Sequence, residues 1–256
     1  MAKIMAKIMA IVSQKGGVGK TSLALNLGNE LAEAGKRVLI VDFDPQADLT
    51  ACAGFERDEE RPTSYDAMLE PHEAPDCVVK ISEGFYLLPA DEELSGAELE
   101  FGHNPAHRNT RLKAVMTYIA DDYDYILIDC PPSLGFCTAN ALVAANEILV
   151  PLQCEHLALR ALENLFNIVQ ESMRENKRLR IAGVVPTFYD RRNSLSSEIV
   201  EAAREELGLA VLNTVIPRNV DVAHASGYGL PVGKFAPKSK GALAYKALAQ
   251  EVMSRD

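Results

Sequence analysis

The sequence predicts an α/β protein with a doubly wound, mostly parallel sheet and helices on both faces. Three observations carry that prediction. Short apolar runs alternate with stretches of helical periodicity along the chain, as they do when parallel strands are joined by crossover helices. A glycine-rich turn follows the first apolar run and opens the first helical pattern. Two further runs, Arg37–Val41 and Tyr125–Ile128, end directly in the carboxylates Asp42 and Asp129, where ligands of open α/β sheets gather.

The first run, Ile8 to Val12, leads into Gln14-Lys15-Gly16-Gly17-Val18-Gly19-Lys20-Thr21-Ser22, with helical spacing beginning near Thr21. Strand, glycine-rich turn and helix is the context of a phosphate-binding loop. Glycines let backbone N–H groups converge on phosphate oxygens where a Cβ would intrude. The unsatisfied N–H groups of the helix start add partial positive charge. Residues Lys15, Gly16, Gly17, Val18, Gly19, Lys20, Thr21 and Ser22 are therefore expected to hold a nucleotide. Lys20 reaches the β/γ-phosphates, the Thr21 hydroxyl faces Mg²⁺, and Ser22 lies near the α-phosphate. The general pattern G-x-x-x-x-G-K-[ST] is broken at Gln14, where its first glycine would stand, and Lys15 is an extra cation. Two such lysines repel unless an anion lies between them, which suggests a high phosphate load. A dinucleotide fingerprint lacks its third glycine here.

The wording Lys-Gly-Gly-Val-Gly-Lys-Thr strongly resembles the deviant Walker A loop of the ParA/Soj/MinD family of ATPases. The resemblance implies ATP/ADP and Mg²⁺ as ligands and a homodimer formed with ATP. In such a dimer Lys15 reaches the partner's nucleotide and acts with Lys20 in catalysis. It also implies one ATPase domain over residues 1–256, without a separate N-terminal DNA-binding domain.

Composition is compatible with this. A chain of 256 residues is long enough for one well-buried α/β core. The net charge of −10 argues against a surface coated in cations, though not against a local basic patch. The five cysteines are scattered without a C-x-x-C pair, as expected of reduced thiols in the cytoplasm and not of a zinc or iron–sulfur site. No apolar run approaches the roughly 20 residues of a membrane span. The opening Met-Ala-Lys-Ile repeat lacks the cleavage region of a signal peptide.

The helix after the loop carries Leu23, Leu27 and Leu31 and ends at Gly35. The next strand closes in Asp42-Phe43-Asp44-Pro45-Gln46, which matches the family's Asp-x-Asp-Pro-Gln segment. By that resemblance Asp44 positions the attacking water, and Asp48 and Thr50 lie in a switch loop. Ala47-Asp48 stands where the family more often has Gly-Asn. A helix capped at Thr63 or Ser64 runs through Leu69, a strand covers Phe85–Pro89, and helices cover Asp91–Phe101 and Arg111–Ala120. The run Asp58-Glu59-Glu60-Arg61 reads as a solvated loop.

Tyr125-Ile126-Leu127-Ile128-Asp129-Cys130-Pro131-Pro132 is a Walker B arrangement that brings Asp129 to the Mg²⁺ shell. Cys130 reads as a small buried residue. Asn146–Pro151 is a strand, residues 157 to 174 a helix, Arg180–Pro186 a strand, and the helix capped at Asn193 or Ser194 ends at Leu207. After strand-like Ala210–Leu212 comes Ile216-Pro217-Arg218-Asn219-Val220, again similar to the family. There the loop flanks adenine, so Pro217 and Asn219 are implied on the base side, with Asn219 able both to donate and to accept. The last helix, with Leu243, Ala247, Leu248 and Val252, reads as packed on the sheet, not as a basic membrane helix.

Family members that segregate DNA grip duplex non-specifically through cations on the ATP-bound dimer. Arg191, Arg192 and Arg218 are the matching candidates. Asp221, where the family has Arg, opposes them, and Lys234, Lys238 and Lys240 are available to compensate. The resemblance thus implies a nucleoid-associated ATPase of chromosome or plasmid partition, with slow hydrolysis stimulated by a ParB-like partner. Two alternatives remain open at this point. One is a positioning ATPase for a non-DNA cargo. The other is a nucleotide-dependent interaction module with negligible turnover.

Overall fold

The computed structural model describes residues 6–56, 60–103, 108–155 and 158–255. Its strands are β1 (Lys7–Ile11), β2 (Val38–Asp42), β3 (Val79–Ser82), β4 (Phe85–Leu88), β5 (Tyr125–Asp129), β6 (Glu147–Gln153) and β7 (Arg180–Thr187). Its helices are α1 (Lys20–Glu33), α2 (Asp48–Cys52), α3 (Ser64–Leu69), α4 (Ala97–Phe101), α5 (Arg111–Ile119), α6 (Phe136–Ala144), α7 (Ala158–Glu175), α8 (Ser194–Leu207), α9 (Val220–Gly227), α10 (Val232–Phe235) and α11 (Lys240–Ser254). The strands form one sheet in the order β3-β4-β2-β5-β1-β6-β7. All neighbours are parallel except the β3–β4 edge pair. The doubly wound α/β architecture expected from the sequence is the one observed.

The period-2 alternation of each strand divides the core into two layers. Met9, Ile11, Val38 and Ile40 point to the side of α1 and α11, where they meet Leu23, Leu27, Tyr245 and Leu248. Ala10, Leu39 and Val41 point to the other side, towards Leu112, Val115, Leu142 and Leu165 of α5, α6 and α7. Strands covered on both faces read as unbroken apolar runs, which is why β2 and β5 were conspicuous in sequence. α11 lies on α1 with Ala242, Tyr245, Leu248, Ala249 and Val252 buried; of the stripe expected from the sequence, Leu248 and Val252 pack on the core, whereas Leu243 and Ala247 are exposed. No helix among the described residues is long and apolar enough to cross a membrane.

Several boundaries differ from the sequence expectation. Asp91–Phe101 is not one helix: a 3₁₀ turn over Glu92–Gly96, capped by Asp91, precedes the short α4. Gly96 at the junction has little helix propensity. Ala210–Leu212 contributes a single bridge, Val184 to Val211, and no strand. The antiparallel edge strand β3 and the helices α6, α9 and α10 went unanticipated. β3 is four residues with a register shift, and α6 is apolar on most sides, so neither shows a clear period. Thr63 caps α3 through a capping box with Asp66, and Asn193 caps α8. Asp58 and Glu59 of the acidic run, and Leu157 at the expected start of α7, lie outside the described residues.

Candidate nucleotide-binding site

The parallel register brings the working residues to one end of the sheet. Asp42 at the end of β2 and Ile11 at the end of β1 both pair with Asp129 at the end of β5. Between β1 and α1 the loop turns through Gly17 and Gly19 with φ of 73° and 92°, a region L side chains adopt at a cost. Gly19 is the N-cap of α1, with no side-chain cap and no acidic residue in the first turn. The N–H groups of that turn are left for an anion. Lys20, only 7% exposed, starts the helix beneath them.

Thr21 Oγ1 donates to Asp129 Oδ2 at 2.7 Å. The other oxygen, Oδ1, is buried without a hydrogen-bond partner. Burial first, and the neighbouring Asp42 charge second, push the Asp129 carboxyl up to about 8. Burial likewise raises Asp42 to about 7, against hydrogen bonds from Thr50 that favour its charged form. A buried orphan oxygen beside a hydroxyl and a second carboxylate is a hard-donor set of the kind that suits a cation. Among the described residues no group of three or more His, Cys, Asp or Glu could hold a metal alone. Magnesium does not need one, because it keeps waters and takes substrate phosphates as ligands. Thr21 and Asp129 thus fit Mg²⁺ brought with a nucleotide.

Asp44 follows in a half-exposed turn, its Oδ1 accepting from the Gln46 N–H at 3.1 Å. Ala47 then takes φ 54° as the N-cap of α2, a left-handed conformation that costs a non-glycine residue about 1 kcal/mol. Asp48 opens α2 and is exposed, whereas Thr50 is buried inside it. Both are helical here and not in a loop as expected. The reason is Asp42, whose Oδ2 accepts from the Thr50 N–H at 2.8 Å and from its hydroxyl at 2.7 Å. Thr50 Oγ1 in turn accepts from the Ala90 N–H.

On the other side of the loop lies a cavity of ≈ 140 Å³ lined by Gly19, Ser22, Phe188, Pro217, Asn219 and Tyr245 among others. Pro217 and Asn219, which the family resemblance implies on the base side, both line this cavity. Asn219 differs in one respect: its Oδ1 caps α9 by accepting from the Asp221 N–H at 2.9 Å. With its Oδ1 so engaged, the Asn219 amide is placed to donate more than to accept.

Lys15 is exposed and forms an ion pair with Glu155, just past β6. Arg191, Arg192, Arg218 and Lys240 line a groove of ≈ 870 Å³ with Asp190 and Leu243. Two details temper the groove. Arg192 is bonded to Asp190 through Nε and Nη2 at 3.2 and 3.1 Å, which holds the Asp190 carboxyl below its usual range. Asp221 sits in the first turn of α9, where it suits the helix dipole. Lys234 pairs with Glu33 of α1. Burial lifts the Cys130 thiol well above its ordinary value, in keeping with a packing role.

Four residues escaped the sequence reading. Asp42 was visible as the first acid of Asp42-Phe43-Asp44 but gave no role until its register opposite Asp129 was seen. Glu155, Thr187 and Phe188 carry no motif. Thr187 donates its hydroxyl to the Val18 carbonyl at 3.0 Å, tying β7 to the phosphate loop.

Comparison with known proteins agrees with this geometry. Residues 6–181 match a family described as "AAA domain". The chain is 44% identical over 254 residues to the chromosome partitioning protein ParA of Caulobacter vibrioides, covering 98% of this chain and 95% of the relative. It is 41% identical over 250 residues to the sporulation initiation inhibitor protein Soj of Bacillus subtilis, covering 97% and 98%. Among solved structures it resembles the cobyrinic acid a,c-diamide synthase of Mycobacterium smegmatis bound to an ATP analogue and magnesium. There the TM-score is 0.86 at 35% identity, over 97% of this chain and 94% of that one.

Proposed function

The chain belongs to the ParA/Soj family of partition ATPases, and on that premise we propose that it is an ATP-dependent dimerising ATPase that moves DNA. The observation that carries the reading is the pair of half-buried Thr21 and buried Asp129, with its orphaned carboxylate oxygen, beneath the uncapped start of α1. Loop amides and Lys20 hold the phosphates, and Thr21 and, less directly, Asp129 hold Mg²⁺. Magnesium, when bound, neutralises charge developing on the β/γ-phosphate oxygens. Asp44 orients the attacking water from its half-exposed turn. Lys15 leaves Glu155 and reaches the partner's nucleotide, so that ATP joins two protomers. Loss of the γ-phosphate then removes these contacts and releases the dimer.

The groove of Arg191, Arg192 and Arg218 is the DNA-binding surface of that dimer, since non-specific duplex binding asks for little beyond cations opposite phosphates. The synthase resembles the chain at 35% identity and the partition protein at 44%, which favours partition over amidation. The cargo is a chromosome or plasmid, hydrolysis is slow and stimulated by a ParB-like protein, and the protein works in the cytoplasm on the nucleoid.

Size in solution and retention on duplex DNA, each with Mg-ADP and Mg-ATP, test this on wild type and Asp44→Ala. The variant should bind ATP without turning it over, so its dimer should persist and hold DNA in a salt-sensitive way. A persistent dimer indifferent to DNA would replace DNA by another cargo. ATP bound by a monomer under all conditions would leave only an interaction module.

A further inference from the structure

We propose that Phe188 is the aromatic wall against which the nucleotide base packs, with Arg218 bracing it from the side of the basic groove. The inference rests on the reading that the cavity beside Gly19 takes a nucleotide, and it assigns a residue that no motif singles out. Phe188 lies at the end of β7 with φ 52°, and for a bulky side chain that is an outlier. Such strain persists only where neighbours over-determine it, most often at ligand clamps. Here the neighbours are identifiable. On one side Thr187 is bonded to the Val18 carbonyl of the phosphate loop. On the other the Tyr189 N–H donates to the Ile216 carbonyl at 3.0 Å, just before Pro217. The backbone is thus pinned to both walls of the pocket, and the bulky ring is what the left-handed residue delivers between them.

The ring reaches the phosphate loop itself: a Cβ at Gly19 would stand 3.6 Å from Phe188 Cε2. The Arg218 guanidinium lies over the ring, 5.3 Å from its centroid. Arg218 also lines the groove of Arg191 and Arg192, and Pro217 borders both that groove and the base cavity. A ring that carries a cation and also lines a largely apolar slot is suited to a flat heteroaromatic base. Phe188 and Pro217 supply the apolar walls. Asn219, its Oδ1 held by the Asp221 N–H, supplies an amide donor to a ring-nitrogen acceptor of the base. The same guanidinium therefore serves nucleotide and groove, so removing Arg218 weakens nucleotide binding even without DNA.

Equilibrium titration with Mg-ATP and with magnesium tripolyphosphate, which has the phosphates and no base, separates the base contact from the phosphate contact. Phe188→Leu keeps an apolar side chain without the aromatic face. Phe188→Asn suits the left-handed backbone, so it should fold at least as stably as wild type in a thermal melt. Both variants should bind ATP roughly ten-fold more weakly, a loss within the range measured for base stacking. Both should bind tripolyphosphate as wild type does. Arg218→Ala should weaken ATP about three-fold, within the range of an exposed cation–π contact, and Arg218→Lys less. The proposal is overturned if Phe188→Asn binds ATP as wild type does, or if ATP and tripolyphosphate weaken together. A wild type that binds tripolyphosphate and ATP equally would also overturn it while leaving the phosphate loop intact. Binding of neither would instead sink the nucleotide reading beneath it.

Discussion

The carboxylate end of the sheet and the arginine groove are built on opposite principles, although Pro217 joins that groove to the cavity beside the phosphate loop. Asp42, Asp129 and Lys20 are 0%, 1% and 7% exposed, so desolvation dominates and each charge is placed by strand register or a helix start. Arg192, with a side chain 91% exposed, is positioned by nothing more than Asp190 beside it. A buried charge without its partner is expensive and can serve one ligand geometry. An exposed one is cheap and easily retargeted. Under the proposed function, chemistry is fixed at the first region and the choice of cargo is left to the second.

The sharpest way to break that contrast is Asp129→Asn. Its loss of a charge beside the magnesium position should weaken Mg-nucleotide binding by roughly 100-fold. The same change should raise the stability of the nucleotide-free protein. The folded Asp129 carboxyl titrates near 8 against an ordinary 3.8, so the folded chain binds the extra proton between those values. Stability of the wild type then falls as pH rises through that window, and the asparagine variant lacks that part of the decline. Thermal melts without nucleotide should show the variant a few degrees above wild type at pH 8 and closer to it at pH 5. A variant that melts lower at pH 8 would mean that the carboxylate is well satisfied and the site is not held in wait for a cation.

That contrast also governs what could be read from the sequence. Lys20, Thr21 and Asp129 were legible because a loop between strand and helix, and an apolar strand ending in an acid, are contiguous patterns that register then brings together. The sheet was legible because β2 and β5 are apolar throughout. What failed was non-local or aperiodic. Phe188 acquires its place from Val18 and Ile216, far away in sequence. Thr50 was placed in a loop because its helix depends on Asp42, eight residues earlier. α6 hid because a helix buried on most sides has no polar face to mark its period. Asn219 lines the cavity beside the phosphate loop, but its capping bond could not be seen without α9.

The groove is sharpened by two changes of moderate and opposite effect. Arg192→Ala should lower duplex affinity of the ATP-bound protein a few-fold and reduce the slope of log K against log salt by up to about one. Asp190→Asn should do the reverse, because it frees a guanidinium now neutralised at 3.1 Å and removes a negative charge from the groove. Fluorescence anisotropy of a labelled duplex across a salt series measures both. Equal slopes in all three proteins would place the DNA elsewhere and leave the groove without phosphates.

The smallest effect is expected where the two regions' principles mix, at Lys15. Its proposed role requires a trip to a neighbouring protomer, but within one chain it is paired to Glu155, with both side chains nearly half exposed. An exposed ion pair contributes about 0–1 kcal/mol, so freeing Lys15 should strengthen ATP-dependent self-association by up to about five-fold per protomer. Sedimentation of Glu155→Gln in the Asp44→Ala background, where hydrolysis does not erode the dimer, measures this. The gain should be largest at low ionic strength and fade as salt screens the pair in the wild type. Weaker association in the variant would show that Glu155 itself contacts the dimer or its nucleotide, and that the pairing with Lys15 is not what dimerisation must overcome.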